Sequence, residues 1–86
     1  MNIEKAISES LEISADVLFD IPRIVLIGDM KVHIENYIAL LEYKKENVKL
    51  KYRGGVIEIC GENFEIKIVG EGNIVICGKI SAIKLI

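Results

Sequence analysis

The 86 residues make one domain, 1–86, with room for a single modest core. A net charge of −2, with a pI near 5.4 and interspersed charges, excludes the basic stripe of a nucleic-acid binder. Apolar content of 51% with only 6% aromatics suits tightly packed, Ile-rich sheets better than a ring-lined ligand pocket.

Residues 1–19 are predicted to form an amphipathic helix. Ile3, Ile7, Leu11, Ser14 and Leu18 share one narrow stripe, and Glu4, Glu9, Glu12 and Asp16 lie on other faces. The stripe is expected to cover a sheet face or pair with a second copy. Its acidic polar side argues against a membrane-surface helix. The first ten residues lack the basic and apolar regions of a signal peptide. No apolar run reaches the roughly 18 residues of a membrane helix, so no direct membrane insertion is expected. The expected location is cytoplasmic, with Cys60 and Cys77 reduced.

Pro22 ends the helix, since it has no N–H and forces Ile21 toward extended geometry. A β domain over 22–86 follows. Arg23 to Ile27 is predicted as a strand, Gly28-Asp29 as a turn, and Lys31 to Glu35 as a second strand pairing with the first. Glu35-Asn36-Tyr37 breaks the alternation and marks a bend or bulge. Ile38 to Tyr43 is a short strand, and Lys44 to Asn47 a polar turn. From Val48 the alternation is clean: Val48, Leu50 and Tyr52 face one way, Lys49 and Lys51 the other.

Short Ile-rich phrases ending in Gly then recur: Ile57 to Gly61, Ile66 to Gly70 and Ile74 to Gly78. Gly61-Glu62-Asn63 and Gly70 to Asn73 are predicted as turns, and Gly78 as a turn or kink. The expected core is Leu50, Ile59, Ile68, Ile76 and Leu85. Val56, Cys60, Val75 and Cys77 point the other way, leaving that face partly apolar. The predicted fold is mainly β: a short N-terminal helix followed by an antiparallel meander, rolled into a small sandwich or half-barrel. A short β-solenoid is the alternative.

Catalytic chemistry is not in view. His33 is the one histidine and reads as a strand-surface residue. Cys60 and Cys77 lack metal-ligand spacing, and the carboxylates form no obvious acid–base pair. Gly70 to Asn73 precedes no helix and so makes no phosphate loop. The expectation is a non-enzyme with no cofactor and no metal.

The run Leu18-Phe19-Asp20-Ile21-Pro22-Arg23 to Gly28-Asp29, then Val32-His33-Ile34-Glu35-Asn36-Tyr37 and Leu41-Glu42-Tyr43, resembles the YabP/YqfC sporulation family, most nearly its YqfC branch. The Pro-Arg and Ile-Glu-Asn segments carry the resemblance, which runs from Leu18 to the C-terminus. Tyr37-Ile38-Ala39 stands where that family's pattern leads us to expect a His and then Arg-Gly. The resemblance implies a small non-enzymatic structural or adaptor protein of endospore formation, made in the mother cell. It also implies docking on a membrane-bound sporulation partner, at the membrane around the forespore. Arg23, Glu35, Asn36 and Tyr37 are the candidate partner-binding residues. The competing expectation for them is structural: Glu35 and Asn36 hold a bulge, and Arg23 pairs with a carboxylate. Self-association into a homo-oligomer is expected through an edge strand, to which Val75 is assigned. A small-ligand or polysaccharide-binding β module is the alternative function.

Overall fold

The computed structural model describes residues 21–86, so the helix expected over 1–19 lies outside the described residues. Six strands form one antiparallel sheet: Arg23–Ile27 (β1), Lys31–Glu35 (β2), Ala39–Tyr43 (β3), Asn47–Tyr52 (β4), Gly55–Gly70 (β5) and Asn73–Leu85 (β6). Their order is β1-β2-β6-β5-β4-β3. Every pairing is antiparallel, which overturns the solenoid. The meander is also incomplete. β3 to β6 follow one another across the sheet, but the β1–β2 hairpin adds to the far side of β6.

That order forces the sheet to curl. In a flat sheet Glu35 and Ala39 would be four strand spacings, about 19 Å, apart sideways. They would be further apart still along the strands, with Glu35 beside Asn73 at the β5–β6 turn and Ala39 level with Lys51 and Val56 at the hairpin's far end. The chain from Glu35 to Ala39 reaches only about 14 Å when fully extended. The two ends therefore approach because the sheet rolls, and its concave face becomes the core. Val32, Ile34, Val48, Leu50, Ile57, Ile59, Phe64, Ile74, Ile76 and Ile80 are buried there as one cluster. At about 1.5–3 kcal/mol per buried side chain, these ten give on the order of 15–30 kcal/mol of gross stabilisation. The surface ion pairs, at about 0–1 kcal/mol each, are minor beside that.

The long β5–β6 hairpin carries the roll. Its register shifts between Cys60 and Gly61 and again between Glu62 and Glu65, so Gly61-Glu62-Asn63 is a bulged bend within one strand. The turn predicted at these residues does not form. Glycine chemistry suits both, and the pairing of Gly61 with Ile80 and Glu62 with Lys79 decides for the bend. Gly78 kinks β6 opposite it. A Cβ on Gly61 would lie 1.9 Å from the Lys79 carbonyl oxygen, and one on Gly78 2.8 Å from that of Glu62. The ring of Phe64 lies against both glycines.

Around this crossing the chain is internally two-fold. The β1–β2 turn accepts bonds from β6: Ile80 N–H to Asp29 O at 2.7 Å, and Gly78 N–H to Met30 O at 3.0 Å. The β3–β4 turn accepts bonds from β5: Phe64 N–H to Lys45 O at 2.8 Å, and Gly61 N–H to Glu46 O at 3.0 Å. Val32 and Ile34 pair with Ile76 and Ile74, as Val48 and Leu50 pair with Ile59 and Ile57. The phrases Ile57–Gly61 and Ile74–Gly78 are thus structural counterparts, each held by one hairpin.

Two expected core residues are misplaced. Leu50, Ile59 and Ile76 are fully buried, but Ile68 is 64% exposed and Leu85 58%. Both lie on the concave side by register. They sit where β5 and β6 run past their other neighbours, however, and little covers them there. Val75 is a second correction: it lies between His33 of β2 and Lys67 of β5, so it is not an edge residue.

Candidate functional site

The four candidate residues come together at one end of the β1–β2 hairpin. Arg23 and Glu35 are directly paired across the strands, with Arg23 Nη1 3.7 Å from Glu35 Oε2. Glu35 Oε1 lies 3.9 Å from Nε2 of His33, which sits between Val25 and Val75 on the convex face. Asn36 has φ of 68°, a left-handed conformation that Asn tolerates better than most residues. Its side-chain amide donates to the Ile21 carbonyl at 3.1 Å, and its N–H donates to Gly72 O at 2.7 Å. Tyr37 follows, half-buried against the core. Ile38 N–H then reaches Lys51 O at 2.7 Å.

These bonds explain the broken alternation. Residues 36–38 carry the chain across the open end of the roll, from the β5–β6 turn to the end of β4. Asn36 supplies the change of direction, and its side chain fixes the entry to β1. Asn36 holds the bend, Arg23 faces the Glu35 carboxylate, and no bulge interrupts the β1–β2 pairing at Glu35. Arg23 and Glu35 also remain on the surface, with side chains 56% and 35% exposed.

The convex face differs between the two halves. Across β3 to β6, Glu42, Lys49, Glu58 and Lys84 form an alternating row, with contacts of 3.9, 3.8 and 4.0 Å. Lys44 adds to Glu42 at 3.5 Å. This is a solvated face. Across β1, β2 and β6, the matching positions are Val25, His33 and Val75, with Ile27, Lys31 and Cys77 beside them. Val25 and Ile27 are 37% and 56% exposed there, and Leu26 on the concave side of the same strand and Met30 in the following turn are 51% and 70% exposed. This apolar border was not picked out from the sequence, because Ile-Val-Leu-Ile reads equally well as a buried strand. The strand order is what exposes it.

Cys60 and Cys77 are free and half-buried, and the Asn47 amide lies 3.5 Å from Cys60 Sγ. Among the described residues no three His, Cys, Asp or Glu side chains are grouped to hold a metal ion. Nor is any helix there long and apolar enough to cross a membrane.

The model of the YabP family matches residues 21–86, the whole of the described sheet. A curated relative, "Uncharacterized protein YqfC" of Bacillus subtilis (strain 168), is 34% identical over 80 residues. That match covers 93% of this chain and 86% of the relative. The chain belongs to the YabP/YqfC family. No solved structure gives a significant match. The two segments that carry the family resemblance meet in space: Pro22-Arg23 opens β1, Ile34-Glu35-Asn36 closes β2, and the Arg23–Glu35 and Asn36–Ile21 contacts join them.

Proposed function

We propose that this chain is a small non-enzymatic adaptor of endospore formation, acting in the mother cell. It self-associates and docks on a membrane-bound sporulation partner, which holds it at the membrane around the forespore. Membership of the YabP/YqfC family supports the sporulation setting. The observation that carries the adaptor reading is the apolar border Val25, Leu26, Ile27 and Met30, a surface for self-association, beside the polar cluster of Arg23, Glu35, Asn36 and Tyr37, the surface for the partner. An apolar centre with a polar rim is the anatomy of a protein–protein contact.

The test is a tagged pull-down from sporulating cells with solubilised membranes, using wild type and Arg23→Glu. Arg23 is exposed, so its replacement leaves the core intact. The expected result is one stoichiometric membrane protein with wild type and at least a tenfold loss with the variant. A wild-type bait that recovers no membrane protein refutes the docking part of this reading.

A further inference from the structure

The rolled sheet leaves four stretches of strand without an outer neighbour among the described residues: β1, β3, 65–70 of β5 and the end of β6 from 81. Unpaired edges invite further pairing, and proteins blunt them with charges and bulges. Three of the four are blunted. β3 carries a register shift between Leu40 and Glu42, with the Glu42 carboxylate in the row of charges. The β5 stretch carries Glu65 and Lys67, and its register shifts between Ile68 and Gly70. The β6 stretch is flanked by Lys79 and carries Lys84. β1 has none of these devices. It is bulge-free, apolar from Ile24 to Ile27, and its one charge, Arg23, faces Glu35 at the strand's start.

We propose that β1 is the self-association edge: two copies pair β1 to β1 antiparallel about a two-fold axis through Val25. The proposal rests on the self-associating reading given above and names its surface. Its first support is self-complementarity. In this register Val25 faces Val25, Ile24 faces Leu26, and Arg23 faces Ile27, so no like charges meet. Concave residues continue onto concave residues, because residues two apart share a face. Ile21, 45% exposed, comes alongside the other copy's 28–30 turn, where Met30 is 70% exposed. The second support is closure: an isologous contact uses up the unguarded edge on both copies and stops at two. Size sets the strength. A five-residue strand pair with these flanking side chains falls below about 1,200 Å² of buried surface, the range of weak complexes. The dimer is therefore expected to dissociate on dilution.

The two-fold axis supplies the test. Val25→Lys or Val25→Glu places like charges against each other at the axis, and mixing the two variants places opposite charges there. Sedimentation of the full-length chain from about 1 to about 500 μM is expected to show a dimer for wild type, a monomer for each variant alone, and a dimer for the equimolar mixture. Circular dichroism of each variant checks that the sheet remains, and the mixture guards against reading misfolding as dissociation. A wild type that is monomeric throughout overturns both this proposal and the self-association reading. A wild-type dimer that persists in both variants overturns only the β1 assignment. Two folded monomers that fail to pair when mixed overturn the Val25-centred register.

Discussion

Replacing Gly61 by Ala attacks the crossing on which the roll depends. A Cβ there would lie 1.9 Å from the Lys79 carbonyl oxygen and 2.6 Å from Cζ of Phe64. The first neighbour is backbone of the paired strand, so β5 and β6 must part by about an ångström to admit the methyl. Parting them strains the pairings of Gly61 with Ile80 and Glu62 with Lys79, and the bond from Gly61 N–H to Glu46 O at 3.0 Å. Two lost hydrogen bonds cost about 2 kcal/mol. Displacing the Phe64 ring adds part of the roughly 3–5 kcal/mol that its complete removal would cost. The expected loss is therefore about 3–5 kcal/mol, against a total near 4–13 kcal/mol for a domain of this length. Gly28→Ala is the control: φ there is +54° and nothing lies within 4 Å, so only the left-handed backbone penalty of about 1 kcal/mol applies. Urea unfolding followed by circular dichroism reads both. At an m-value of about 1 kcal/mol/M, the Gly61 variant should lose about 3–5 M of midpoint or be unfolded from the start. A midpoint no lower than that of Gly28→Ala, with m unchanged, would refute the close-crossing argument.

Asn36→Ala removes the bond to the Ile21 carbonyl and puts Ala at φ of 68°, which should lower the melting temperature by about 5–10 °C. Asn36→Gly keeps the backbone and should recover about half of that loss; equal losses would mean the conformation is not what Asn36 supplies. If Asn36→Ala still binds a membrane partner while melting earlier, its role is structural. The Asp29 carboxylate is ion-paired with Lys79; hydrogen bonding from that ammonium, and then its charge, hold Asp29 below its usual 3.8 and Lys79 above its usual 10.5. The stabilisation is thus present between those values. It fades as pH falls below 3.8 through the lowered pKa of Asp29, and as pH rises above 10.5 through the raised pKa of Lys79. Melting curves of wild type and Asp29→Asn should converge below pH 3.8; a gap that stays constant down to pH 2 would show that the pair's charge contributes nothing.

Alternation and glycine placement were enough to read most of the strands. Arg23–Ile27 and Lys31–Glu35 have the boundaries expected from sequence, and the bend at Asn36 was legible because a polar triplet interrupts an apolar run. The candidate cluster was legible for the same reason, together with the Pro-Arg and Ile-Glu-Asn segments. Strand order was not, because short Ile-rich strands resemble one another, and local chemistry does not say which pairs with which. Whether Gly61 turns or bends the chain depends on Lys79 and Ile80, about twenty residues away. Ile68 and Leu85 follow the same pattern as Ile59 and Ile76, yet lie exposed because their strands outrun their neighbours. The apolar run of β1 became a candidate interface only once the sheet order put it at an edge. Which residues alternate and where the chain can bend are local properties of side chain and φ, so they are readable along the chain. Pairing, burial and edges are relations between distant segments, and only the rolled sheet decided them.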